Sequence, residues 1–376
     1  MRNASIRSAA SSQKDPDAIV RELTQAWAGM SPTAIAFFTG HTRDGAAISA
    51  ALRRAFPGTP NVGCTTAGEL TQHHEGRQTT SALALGAGKV RRASAALATF
   101  DDGVRSGVAR GMHALARGLD VDLKTADPRR FVGITLVEGL RRNEEECNEA
   151  LGDGAPLLSF VGGSAGDDAE FAKTRVFADG EESDNGAALL LLDAAVPFVV
   201  GKTCSFEPTG VRFTVTKANV AERIVYELDG EPVATAYARA AGVEPSRLDA
   251  SVFMTHPVGL MVDGAPWIRS PQQLLPDGGL RFYCRIEQGM TVDLMRSTPL
   301  VDDTRRALGR WAEELGAPIA GGFAFNCILR RLELDATGQG AAFRACFEGM
   351  EMAGFHTYGE SWLAHINQTL TTLLFA

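Results

Sequence analysis

The apolar positions along this 376-residue chain change period several times, and each change predicts an element. Over residues 15–30, Ile19, Leu23, Ala26 and Trp27 recur at helical spacing. Residues 33–38 (TAIAFF) are a continuous apolar run of strand length. Residues 44–56 return to helical spacing, with Asp44 as a candidate N-cap and Pro57-Gly58 as a stop. Residues 61–70 and 80–86 read as strands. A second pass gives strand 131–137, helix 143–151, and strands 159–167 and 187–192. A third gives strand material over 317–334, a helix over 340–348, and strands at 353–360 and 370–375. Between the second and third passes, 202–226 alternates as a strand pair and 232–241 is helical. Residues 252–262, 265–269 and 280–287 read as antiparallel strands joined by DG and PDGG turns.

One phrase recurs within these passes. Val62-Gly-Cys-Thr-Thr-Ala-Gly-Glu69 and Ala353-Gly-Phe-His-Thr-Tyr-Gly-Glu360 match position for position, and Val161-Gly-Gly-Ser-Ala-Gly-Asp167 is one residue shorter. Each lies about thirty residues after the start of its leading strand, the spacing expected of internal duplication. The phrase also locates part of the high glycine count, 40 residues, because a tight turn before the acid favours glycine. The expected fold is α/β: two domains of mixed sheets flanked by helices, built from related strand-helix-strand-strand units. The expected division is a leader and helix over 1–30, a first domain over 31–221 and a second over 222–376.

Composition narrows the function classes. Asp and Glu number 45 against 37 Lys and Arg, a net charge of −8, which argues against a nucleic-acid binder working through a basic face. Residues 1–15 contain no apolar signal core, and no apolar run has membrane-spanning length. The six cysteines are scattered without a C-x-x-C pair, as expected for reduced thiols in a cytoplasmic protein.

The candidate chemistry divides between catalysis and binding. Gly162-Gly-Ser164-Ala-Gly166 satisfies the G-x-S-x-G nucleophile elbow, and Asp263 and His356 or His365 follow in the required order. The same phrase recurs elsewhere without a serine, so a serine hydrolase using Ser164 is the alternative and a non-enzyme is expected. Glu69, Asp167 and Glu360 either line a common pocket or accept backbone N–H groups within their own turns. Cys64 in its glycine turn, and Cys327 with Arg330 on an alternating strand, are candidates against plain structural roles. His256, His356 and His365 are candidate haem-iron ligands or hydrogen-bonded structural histidines.

Read together, these phrases resemble the FIST family. Val62–Glu69 and Val161–Asp167 resemble its N-terminal domain. Leu228-Asp-Gly-Glu-Pro-Val-Ala234, Phe325-Asn-Cys-Ile-Leu-Arg330, Gly354–Glu360 and Asn367-Gln-Thr369 resemble its C-terminal domain. The resemblance implies an intracellular sensor that binds a small molecule and signals to a partner such as a histidine kinase or a cyclic-di-GMP enzyme. Amino acids or their derivatives are the ligands proposed for the family. Asn326–Arg331 and His365–Thr369 are similar to stand-alone members that carry haem b and sense nitric oxide, which adds haem and a diatomic gas to the expectations. Cys64, Thr65, Glu69, Ser164, Asp167, Cys327, Arg330, Tyr358 and Glu360 are the ligand-binding candidates. A haem-free amino-acid-binding module is the alternative sensor.

Overall fold

The computed structural model describes residues 5–376; the first four residues of the expected leader lie outside it. Within the rest of that leader, Ile6–Ser11 is a strand. It opens the first of three units with the same order of elements. That unit continues with helix Pro16–Ala26, strand Pro32–Gly40, helix Gly45–Ala55, strand Asn61–Thr66, hairpin Glu69–Thr71 with Glu75–Gly76, and strand Thr80–Gly86. Asp15 and Asp44 cap its helices by accepting from the backbone N–H of Ala18 (2.8 Å) and Ala47 (2.9 Å).

The second unit runs Val90–Thr99, helix Val104–Leu119, Phe131–Val137, helix Glu144–Gly154, Phe160–Ser164, hairpin Val176–Ala178 with Glu181–Ser183, and Gly186–Ala194. The third begins at Phe198–Cys204 and resumes at helix Leu300–Leu315. It continues with strand Gly321–Cys327, helices Ile328–Thr337 and Gly340–Ala345, and strand Glu351–Thr357. Hairpin Glu360–Trp362 with Ala364–Ile366 and strand Thr369–Phe375 complete it. Residues 206–297 interrupt this unit as a second domain, an eight-stranded sheet with helices Val233–Ala241 and Ala250–Thr255. Its own core includes Val215, Tyr237, Phe253, Leu280 and Leu294.

Each unit makes a six-stranded sheet, and all three sheets have the same strand order. A central parallel pair sets the first glycine of each phrase opposite its neighbour: Gly63 with Phe37, Gly162 with Thr135, Gly354 with Ala324. The short hairpin after the phrase leaves its own sheet and completes another. The hairpin at Glu69 pairs with the third unit, that at Val176 with the first, and that at Glu360 with the second. The exchange is cyclic and makes a three-sided body. Its shared interior holds Phe38, Val62, Ile134, Leu190, Phe323, Phe355 and Phe375, and the helices cover the outer faces. Strands covered on both faces explain the unbroken apolar runs in the sequence.

Three local expectations are corrected. Residues 317–334 are not all strand: the chain turns into helix at Ile328, so Arg330 and Arg331 are buried helical residues. Residues 252–262 divide into helix Ala250–Thr255 and strand Val258–Val262, which puts His256 at a helix C-terminus. Cys64 lies in a strand, not in the turn itself, and is fully buried, as its plain structural role implies. Residue 221 lies in the turn between the paired strands Phe206–Asn219 and Ile224–Leu228.

Candidate functional site

The three glycine phrases converge at one end of the three-sided body, at the C-terminal ends of the parallel strands. In the first, Thr66 Oγ1 donates to Glu69 Oε1, while Thr79 donates its N–H (2.9 Å) and hydroxyl (2.7 Å) to Oε2. The third repeats this set. Thr357 Oγ1 donates to Glu360 Oε1 (2.7 Å), and Thr369 donates its N–H (3.0 Å) and hydroxyl (2.6 Å) to Oε2. Both carboxyls are fully buried, and burial raises the pKa of each, Glu360 to about 7. The second phrase differs. Asp167 accepts from the backbone of Phe171, Ala172 and Lys173 (2.6–2.9 Å) and from the Tyr358 hydroxyl, which ties it to the third phrase. Burial alone would raise the Asp167 carboxyl, but these donors hold it below its ordinary value. Arg331 joins the turns by donating to the Ala67 carbonyl and to Asp168 (3.1 Å).

A cleft of about 190 Å³ opens beside these turns, with walls from both domains. Leu140 and Arg142 follow strand Phe131–Val137, Glu144 opens the next helix, and Phe171, Ile328 and Tyr358 come from around the turns. Arg223, Gln272, Arg281, Phe282 and Tyr283 belong to the inserted domain. Phe171 stacks on Tyr358 with ring centroids 5.0 Å apart, yet remains half exposed. Burial pushes the Tyr283 phenol up to about 12, so it is a neutral donor.

The three arginines differ in how they are engaged. Arg223 donates to Glu144 (2.8 Å) and Glu145 (2.5 Å), and also to the Tyr283 carbonyl (2.5 Å). Burial pulls this guanidinium down, but the two carboxylates outweigh it and hold its pKa above the ordinary value. Arg142 pairs with Glu222 at 2.8 Å. Arg281 makes no ion pair among the described residues, and its buried Nε has no hydrogen-bond partner. A guanidinium so placed is a ready receptor for a carboxylate.

Of the nine ligand-binding candidates named from sequence, Tyr358 lines the cleft and Asp167 holds its hydroxyl. Cys64, Thr65, Glu69, Ser164, Cys327, Arg330 and Glu360 are buried in the turns and core behind it. Thr65 Oγ1 accepts from Arg175 N–H (3.0 Å), and burial raises the Cys64 and Cys327 thiols well above their ordinary value. Ser164 Oγ is buried without any hydrogen-bond partner, so no base is in place to activate it. Arg142, Arg223, Gln272, Arg281 and Phe171 were not among the candidates. They lie far apart in the chain, and no local motif marks them.

The three histidines do not provide a fit for haem in this arrangement. His356 Nδ1 accepts from Asn326 Nδ2 (3.0 Å), and its Nε2 shares a hydrogen with Glu75 (3.2 Å). His256 Nδ1 is engaged with Thr255 Oγ1 (3.0 Å). His365 Nδ1 is free, but the ring is buried and packed so closely on Gly359 that a Cβ there would overlap it. None of the three lines the cleft, which is smaller than the about 300–1,000 Å³ typical of drug-sized ligands.

Residues 33–231 match the FIST N domain and residues 234–362 the FIST C domain. No curated protein matches the chain. FIST domains are sensory domains of signal transduction that bind small ligands, and no helix among the described residues is long and apolar enough to cross a membrane. A repeated glycine–acid turn and a polar cleft beside it thus lie within matched domains that together cover most of the sequence, and the chain belongs to the FIST family.

Proposed function

We propose that this protein senses a small carboxylate, of the size and kind of an amino acid or its derivative, in the cleft between its two domains. The Arg281 guanidinium carries this reading, because it supplies a partly buried cation that makes no ion pair among the described residues where both domains meet. The ligand carboxylate accepts from Arg281. Tyr283 and Gln272 offer further hydrogen bonds, and the stacked Phe171 and Tyr358 receive its apolar part. A ligand touching both domains binds their closed arrangement better than an open one, and differential affinity of that kind shifts a population. A separate partner, a histidine kinase or a cyclic-di-GMP enzyme, reads the shift.

Isothermal titration of the full chain against an amino-acid panel tests this. At least one member should bind, and Arg281→Ala should weaken it by about tenfold or more, as expected for a lost charged hydrogen bond. Binding that survives Arg281→Ala unchanged removes the carboxylate assignment. The haem-based nitric oxide reading is tested by the absorption spectrum after haem addition. Under the haem-free reading no Soret shift appears, and a shift abolished by replacing His365 would overturn it. A Ser164→Ala variant that keeps all measured esterase or amidase activity would exclude the hydrolase.

A further inference from the structure

The end of the second sheet remote from the cleft concentrates positive charge. Asp193, at the end of strand Gly186–Ala194, is fully buried. Arg130 grips both of its oxygens at 2.7 Å, and Arg91 and Arg92 each approach it at 3.3 Å. Beside them Arg129 has 90% of its side chain exposed, with Asp127 3.4 Å away as its sole ion-pair partner among the described residues. Four arginines thus face two carboxylates, a local surplus of two positive charges on a chain of net charge −8. Arg91, Arg129 and Arg130 line an open groove of about 540 Å³ whose apolar wall is Val196, Pro197 and Phe198. Strand Phe131–Val137 runs from this groove toward the cleft, about 23 Å at 3.3 Å per residue.

We propose that this groove docks an acidic segment of a partner protein. Guanidinium forks match carboxylates geometrically, and the Arg130–Asp193 pair already shows that recognition within the groove wall. An extended chain alternating acidic and apolar residues would place carboxylates on Arg129 and the exposed flank of Arg91, and its apolar side chains on Val196 and Phe198. Arg91, Arg92 and Arg130 are already gathered on Asp193, which leaves Arg129 and the exposed flank of Arg91 as separate contacts beside the apolar wall, an arrangement that fits an extended peptide better than a single phosphate. The negative charge of the rest of the chain repels an acidic partner elsewhere and orients it here. This interface is independent of what the cleft binds.

The test is fluorescence anisotropy of a labelled Glu/Leu peptide, with its Gln/Leu counterpart as control, against the full chain. The acidic peptide should bind, weaken as salt rises, and lose at least about tenfold in affinity on the double change Arg91→Glu and Arg129→Glu. The control peptide should not bind. Arg129→Ala alone, on a side chain that supports no buried group, must also weaken binding, so a misfolded double variant does not blunt the test. Absence of binding, indifference to both variants, or displacement by equimolar inorganic pyrophosphate would overturn the proposal; the last would mark a small-anion site.

Discussion

A methyl group at Gly162 would overlap the Thr135 carbonyl oxygen, and one at Gly354 would overlap that of Ala324. These glycines are required by the close approach of the parallel strands. Gly162→Ala should therefore lower stability by about 1–3 kcal/mol in urea unfolding, the range for overpacking a filled site. Gly152, inside helix Glu144–Gly154 with nothing near its missing Cβ, provides the opposite case. Gly152→Ala should raise stability by roughly 0.5–1 kcal/mol. The buried carboxyls add a pH signature at the same scale. Burial raises Glu138 and Glu360 to about 7 from an ordinary 4.5, so the folded chain holds protons that the unfolded chain releases. Their contribution is complete below about pH 4.5 and is lost as pH rises through 7. Glu75 runs the other way. The hydrogen bond from His356 outweighs burial and, with Arg344, lowers it to about 2, so its contribution is complete above pH 4.5 and lost toward pH 2. Melting temperatures from pH 3 to 8 check both signs. The advantage of wild type over Glu360→Gln should shrink between pH 5 and 8, and that over Glu75→Gln should shrink below pH 4.5.

The turns behave as elements because each acid closes its own loop. Thr79 and Thr369 occupy equivalent positions and each donates two hydrogen bonds to the carboxyl ten and nine residues earlier. Thr79→Val and Thr369→Val should each cost about 1–3 kcal/mol by leaving one carboxyl oxygen short of a donor. Unequal losses beyond that range would show that the two turns are not energetic equivalents. The turn repeat was legible in the sequence because glycine and acid recur with fixed spacing. Helix Ile328–Thr337 was not. It follows strand Gly321–Cys327 without a side-chain cap, and its buried Arg330 and Arg331 read as exposed positions. Arg330 is nonetheless satisfied by Asn326 Oδ1 (2.9 Å), Ser205 Oγ (3.0 Å) and Thr304 Oγ1 (3.0 Å), partners that only the folded chain assembles.

Across the whole molecule, the cyclic hairpin exchange makes each unit depend on another to complete its sheet. The three units should therefore unfold together, with coincident transitions by far-ultraviolet circular dichroism and tryptophan fluorescence. Separate transitions for the three units would contradict the closed arrangement. Sequence alone determined the α/β class, the threefold phrase, the glycine requirement and the negative balance, because these follow from local periodicity, backbone sterics and composition. Tertiary structure decided which unit receives each hairpin, that residues 206–297 form an inserted domain, and that Arg281 faces Tyr358 across a cleft. Such contacts join residues far apart in the chain. Their pairing depends on closing the three-sided body around one apolar interior, which no local pattern encodes.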